Sequence, residues 1–196
     1  MKKLFLLVGV VFIVIISLFG QAYQQYKAVL IRHDQFMTSV RKNTSKADEL
    51  DALLVERIQQ SKNSLISRWW LTDYLKLRDY IVRLTNRPNK AEILLQLNRE
   101  LYQQTGNSHY KVQECMVLER LSMPFAECYK NALLLTKKKL NYQDLGEYFF
   151  AFSALHNEQD TLQEFSNLIS IETPEGQFLI DKYIHHRTET LAEMFP

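Results

Sequence analysis

The sequence predicts an all-α protein, in which an N-terminal transmembrane helix and stalk precede a domain of antiparallel helix hairpins or an irregular helical bundle. Three observations support this fold class. The 196 residues include only five glycines and four prolines, so few positions interrupt a helix. Apolar residues recur every three or four positions along most of the chain, which is the helical period. A long uncharged apolar run opens the chain.

The opening run extends from Leu4 to about Gly20, and two lysines precede it. A helix that spans hydrocarbon needs about 17–25 apolar residues, whereas a cleaved signal peptide has an apolar core of about 7–15. The run is slightly closer to the first range, so we expect a retained signal anchor over residues 1–22. The alternative is a signal peptide cut after Ala22, because Gly20 and Ala22 form a small-x-small pattern.

The helical pattern continues beyond the anchor, because neither glycine nor proline occurs between positions 21 and 87. It predicts a stalk helix and linker over residues 23–45. A seam of residues spaced three and four apart follows one side of this helix: Phe19, Ala22, Tyr26, Val29, His33, Phe36 and Val40. Such a seam either pairs in a homodimer or packs against the chain's own helices, with His33 at its edge.

Charges beside the apolar run set the expected orientation. The two preceding lysines favour a cytoplasmic N-terminus, while Lys27 and Arg32 beyond the run favour the opposite. Because the nearest charges count most, we expect a single-pass protein of the bacterial inner membrane with its C-terminal domain in the periplasm. The expected partners are the lipid bilayer and another envelope protein. A net charge of +2 gives no reason to expect a nucleic acid.

Residues 46–196 are expected to form one all-α soluble domain. A first helix begins near Lys46, with acidic residues in its first turn that suit the helix dipole. A second begins at Trp69-Trp70 and ends near Thr85. Turn-forming residues then recur and separate six amphipathic segments: 91–104, 110–121, 125–139, 142–155, 162–171 and a last helix that begins at Pro174 with Thr173 as its N-cap.

Segments of this length joined by short turns must be antiparallel neighbours, and a pair of them has a period of about 34 residues. The stretch Tyr142-Gln143-Asp144-Leu145-Gly146-Glu147-Tyr148-Phe149 resembles the first-helix signature of tetratricopeptide repeats in its aromatic and Leu-Gly positions. Glu158 departs from that family's pattern, because the partner helix should carry a small residue there. The resemblance implies a concave surface that binds a peptide or helix of a partner.

Two sets of aromatic residues are candidates for partner binding. One is Trp69 and Trp70, which could form an interaction hot spot or an anchor at the membrane interface. The other is Tyr148, Phe149 and Phe152, which would line a groove between helices. The alternative for the tryptophan pair is that one ring packs in the core and the other lies along its edge, since aromatic side chains supply much of the area that cores bury. The alternative for the second set is that its rings belong to the core.

Cys115 and Cys128 are the two cysteines of the chain. Their spacing is not that of a CxxC redox pair, and no histidine cluster completes a zinc site. In an exported domain they are expected to form a disulfide near the turn at Pro124, since oxidising compartments preserve such bonds. The alternative is a pair of separate buried thiols.

No sequence motif of a nucleophile, a phosphate loop or a metalloprotease occurs, so we expect no catalytic, metal or cofactor site. The expected function is that of a protein-interaction or assembly factor at the cell envelope. One alternative is a periplasmic binder of lipid or a small ligand. Another is a small enzyme that uses Asp181, His185 and Glu189, which are spaced four apart and would share one face of a continuous helix.

Overall fold

The computed structural model describes residues 2–39, 44–85, 87–137, 145–170 and 172–195, with all side chains except those of residues 2–9, 39, 44 and 45. Within these ranges the regular structure is helical and no strand occurs, which confirms the all-α prediction. The described residues form ten α-helices: α1 (Lys2–Ser39), α2 (Thr44–Lys62), α3 (Leu71–Leu84), α4 (Lys90–Thr105), α5 (Ser108–Arg120), α6 (Ala126–Lys137), α7 (Leu145–Ser153), α8 (Glu158–Ser166), α9 (Pro174–Ile180) and α10 (Arg187–Met194). A 3₁₀ turn, Ser67–Trp70, precedes α3, and a π-helical turn, Asp181–His185, joins α9 to α10.

The chain divides into two compact units, unit 1 (Met1–Thr85) and unit 2 (Asn86–Pro196). Unit 1 contains α1, α2 and α3, and unit 2 contains α4 to α10. The sequence predicts boundaries at residues 22 and 45, whereas the structure groups α1 with the two helices that follow it. Part of the expected linker, residues 40–43, lies outside the described residues.

The seam on α1 is covered by helices of unit 1. Its buried members are Ala22, Val29 and Phe36. The Tyr26 hydroxyl donates a hydrogen bond to Asp73 Oδ2 on α3 over 3.1 Å. The ring of His33 lies 5.9 Å from that of Tyr80, also on α3. The seam therefore packs against the chain's own helices, which was one of its two expected uses. Val40 lies outside the described residues.

The predicted transmembrane span is not supported. Among the described residues, no helix is both long enough and apolar enough to cross a membrane. The side chains of residues 2–9 at the start of the expected anchor, together with residue 1, lie outside the described part of the chain. The backbone of α1 is nevertheless one continuous helix over Lys2–Ser39, as expected from the lack of glycine and proline after position 20.

In unit 2, each helix from α4 to α7 packs on the helix that follows it in the chain. The chain then returns, because α10 packs against α5. In an open repeat stack each repeat contacts only its neighbours. The return of α10 to α5 therefore makes unit 2 an irregular closed bundle.

Local signals explain where several helices of unit 2 begin and end. Gly106 ends α4 in the left-handed region, at φ 64°, where glycine is tolerated best. Asn107 and Asn157 cap α5 and α8 with their side-chain oxygens. Thr173 caps α9 and Pro174 takes its first position, which confirms the predicted start of this helix.

Candidate functional site

An exposed apolar surface occurs at the N-terminal side of unit 1. Each of residues 10–19 is exposed, and all of them except Ser17 are large and apolar. Successive residues of an α-helix point about 100° apart, so the exposed apolar surface surrounds the helix instead of following one stripe. We call residues 10–19 the apolar stem. A helix that is apolar all round is normally enclosed by protein or by lipid.

The two tryptophans have different environments, which the sequence could not assign. Trp70 is buried and its ring lies 5.2 Å from that of Phe19 and 5.7 Å from that of Tyr26, on which it stacks. Trp69 is 78% exposed. Successive residues in a 3₁₀ helix point about 120° apart, so the packing of Trp70 onto α1 turns Trp69 outward.

Leu65, four positions before Trp69 in the chain, is 87% exposed. It belongs to the segment between α2 and the 3₁₀ turn, where Ser64 Oγ accepts a hydrogen bond from the Ser67 backbone N–H. We call Tyr23, Leu65 and Trp69 the collar. All three are exposed apolar or aromatic side chains: Tyr23 follows the apolar stem on α1, and the other two belong to the segment whose Trp70 packs on α1 there. Sequence reasoning missed Leu65. The signal was the apolar pair Leu65-Ile66 between the polar stretches 61–64 and 67–68.

A second apolar surface lies in unit 2, where the start of α7 faces the loop between α8 and α9. It is a groove of about 440 Å³ with mostly aliphatic walls and a few polar groups. Its lining residues are Leu145, Gly146, Leu168, Ile169, Ser170, Thr173, Glu175 and Leu179. Phe178 stands beside it on α9 and is 57% exposed. We call this the α8–α9 groove.

Most aromatic residues of α7 are core residues. Tyr148 and Phe149 are buried, and Phe149 contacts Phe165 of α8. Phe152 is half-buried and stacks on His156 at 4.0 Å. Burial raises the pKa of Tyr148, as does the hydrogen bond that its hydroxyl donates to a glutamate of α8. Tyr148 and Phe149 therefore lie in the core, as the alternative expected, and none of the three rings lines the α8–α9 groove.

The acidic and histidine residues near the C-terminus do not form a shared site. A π-helical turn, Asp181–His185, interrupts the helix and removes the four-residue register that would align Asp181, His185 and Glu189. His185 Nε2 lies 3.3 Å from Glu158 Oε1 on α8, and Asp181 Oδ1 lies 3.5 Å from His186 Nε2. In the part of the chain that the structure describes, no three potential ligand side chains are grouped to hold a metal ion.

A largely buried polar network joins four helices of unit 2. The Arg187 guanidinium donates to both carboxylate oxygens of Glu119, over 2.6 and 2.7 Å. It also donates to the backbone carbonyl of Phe150 and to the hydroxyl of Ser153. The Tyr129 hydroxyl donates to Glu119 over 2.7 Å. Because the donors and acceptors satisfy one another, the network stabilises the closure of α10 onto the bundle.

A disulfide joins Cys115 of α5 to Cys128 of α6 in the structure. It closes the turn that contains Pro124, near the first residues of α6. Comparison with known proteins finds no family model, no curated relative and no solved structure that matches this chain.

Proposed function

We propose that this chain is a non-catalytic binding protein of the bacterial envelope. The apolar stem holds it at the inner membrane, and unit 2 binds another envelope protein through the α8–α9 groove. The observation that carries partner binding is this groove, where exposed apolar side chains stand beside an apolar concavity. Exposed apolar surface of this kind marks interaction sites on folded proteins.

The chemistry of the groove suggests what it binds. Its volume of about 440 Å³ suits a few apolar side chains on one short peptide or helix. Polar groups of Ser170, Thr173 and Glu175 lie at the same site and would orient the backbone or a basic residue of the partner. Leu168 exposes part of its side chain within the groove, and Phe178, also exposed, would extend the apolar contact beyond it.

The proposed location rests on two features. The apolar stem is exposed all round, and lipid covers such a surface on every side. The disulfide between Cys115 and Cys128 suits an oxidising compartment, because thiols are kept reduced in the cytosol. We therefore propose that unit 2 lies on the periplasmic side. A topology reporter fused after Arg41 tests this, and activity only on the cytoplasmic side would contradict it.

A photo-crosslinking amino acid placed at Phe178 tests partner binding in intact cells. The matched control is the same amino acid at Leu134, an apolar residue of α6 that is 65% exposed and lies outside the groove. We expect one discrete protein adduct from position 178 and none from position 134. The substitution Leu168→Asp should abolish the adduct, because it adds a charge to the groove wall.

Other results would replace the proposal. Equal labelling from both positions, or no adduct at all, contradicts partner binding at the groove. A stoichiometric lipid in the purified protein, lost in Leu168→Asp, favours the alternative of an apolar-ligand binder.

The combined substitution of Asp181, His185 and Glu189 by alanine tests the enzyme alternative. Loss of the cellular phenotype with an intact fold would favour a catalytic role there.

A further inference from the structure

We propose that the collar docks into the headgroup region of a phospholipid bilayer, so that two separate elements hold unit 1 at the lipid surface. This inference rests on the proposed membrane attachment of the apolar stem and goes beyond it. The stem belongs to α1, whereas Leu65 and Trp69 belong to the segment between α2 and α3. Docking of the collar would fix the depth and rotation of unit 1, which a single helix in lipid leaves free.

Ring contacts set the height of the collar along α1. Trp70 lies against Phe19, Tyr23 and Tyr26, at centroid distances of 5.2, 6.5 and 5.7 Å. An α-helix rises about 1.5 Å per residue, so Phe19 and Tyr26 are about 10 Å apart along the axis. Trp70, and with it the adjacent Trp69, is therefore held at the level of Phe19 to Tyr26, which begins where the apolar stem ends.

The composition of α1 changes at the same level. The stem ends at Phe19, glutamines appear from Gln21 onward, and Lys27 is the first charged residue after the stem. A membrane-water boundary requires this order of apolar, aromatic and charged side chains. The collar thus lies at the height on α1 where a bilayer interface would be expected.

The exposed side chains of the turn suit such an interface. Trp69 has a large apolar ring with one N–H donor, and tryptophan is enriched where hydrocarbon meets headgroups. Leu65 offers an aliphatic side chain to the acyl region. Arg68 is exposed between them in sequence and can donate to a lipid phosphate.

Lipid fits these observations better than a protein partner does. A protein that bound the stem would cover one side of the helix, whereas each residue of the stem is exposed and the apolar surface is continuous around it. The collar adds exposed apolar groups from another element at the end of that surface. One bilayer would cover the stem and the collar together.

The two tryptophans allow a direct test, because the chain contains only these two. The variant Trp70→Phe leaves Trp69 as the single reporter. The control carries Trp69→Phe, Trp70→Phe and Leu84→Trp, and places the reporter at an exposed apolar position at the far end of α3. The full chain is reconstituted into phosphatidylcholine–phosphatidylglycerol vesicles whose acyl chains are brominated near the headgroup, and circular dichroism verifies the helical fold of each variant.

We expect the brominated lipid to quench Trp69 several-fold more strongly than the control tryptophan at position 84. Iodide in the aqueous phase should quench the control tryptophan several-fold more strongly than Trp69. If Trp69 is quenched by iodide and not by bromine while the protein floats with the vesicles, the collar proposal is wrong and the attachment stands. If the protein does not float with the vesicles, the proposed attachment fails and the collar proposal fails with it.

Discussion

Unit 1 and unit 2 are both helical and each buries an ion pair, but they differ in what else joins their helices and in how much apolar surface they expose. Unit 1 packs α1 onto α2 and α3 with aliphatic and aromatic residues, and Arg78 forms a largely buried ion pair with Asp51 over 3.0 Å. Unit 2 adds the network around Arg187 and a disulfide to its apolar core. Unit 1 also presents the exposed apolar stem and collar. The helices of unit 2 are therefore joined by contacts within the unit, whereas unit 1 keeps an apolar surface exposed.

The largest expected effect is the loss of the Arg187 network in unit 2. Arg187→Ala leaves Glu119 with a largely buried carboxylate and without its bidentate partner. Removing one member of such a pair costs about 3–5 kcal/mol of unfolding free energy. Hydrogen exchange of α5 and α7, measured by mass spectrometry on the full chain in mild detergent, should accelerate accordingly.

The matched control is Lys130→Ala, which removes an exposed ion pair with Glu127 in the same unit. Exposed pairs contribute little, so exchange in α5 and α7 should hardly change. If Arg187→Ala has no more effect than Lys130→Ala, the network around Arg187 does not hold unit 2 together.

A pair of leucine variants separates the core of unit 1 from its collar. Leu54 is fully buried in α2, so Leu54→Ala should cost about 2–5 kcal/mol. Leu65→Ala should leave the stability unchanged, because that side chain is already exposed. Urea unfolding followed by tryptophan fluorescence measures both, since the two tryptophans belong to unit 1. A similar loss for both variants would show that Leu65 is not a free surface residue.

Removal of the disulfide is expected to have an intermediate effect on unit 2. The two cysteines are 13 residues apart, and closing a loop of about that length stabilises a fold by about 3 kcal/mol. The double variant Cys115→Ala, Cys128→Ala should lose this amount in chemical denaturation of the full chain. A reductant should destabilise the native chain and leave the double variant unchanged. Equal sensitivity of both chains to the reductant would exclude the disulfide as its target.

The smallest expected effect concerns high pH. Burial raises the pKa of Tyr129 well above its ordinary value, and Glu119 adds to the rise while Arg187 opposes it. The folded state therefore keeps the hydroxyl proton of Tyr129 at pH values where the unfolded chain loses it. Its stabilising contribution is complete below about pH 10, the pKa of an unfolded tyrosine, and decreases as the pH rises further.

The variant Tyr129→Phe removes that titration. Its unfolding free energy should be lower by about 1 kcal/mol at neutral pH, because a hydrogen bond to Glu119 is lost. The decline of its stability above about pH 10 should be less steep than that of the native chain. Parallel declines in urea unfolding at several alkaline pH values would show that Tyr129 does not contribute to the pH dependence.

Local sequence signals predicted the positions of most helices and the buried apolar seam of α1. The absence of glycine and proline after position 20 predicted that α1 continues beyond the apolar run, and the pair Thr173-Pro174 predicted the start of α9. The seam on α1 identified Val29 and Phe36, which are buried. The last helix was predicted as continuous, but the π-helical turn at Asp181–His185 interrupts it. No local pattern distinguishes such a turn, because it depends on how α7 and α10 pack against it.

The sequence by itself determined that the chain is helical, where most helices begin and end, and which stripes are apolar, because these properties depend on residues within one or two turns of each other. Only the tertiary structure decided which of Trp69 and Trp70 is exposed, and that Tyr148 and Phe149 of α7 fill the core. It also decided that Arg187 pairs with Glu119, 68 positions away in the chain. These choices depend on which helix faces which, and helical periodicity carries no information about that.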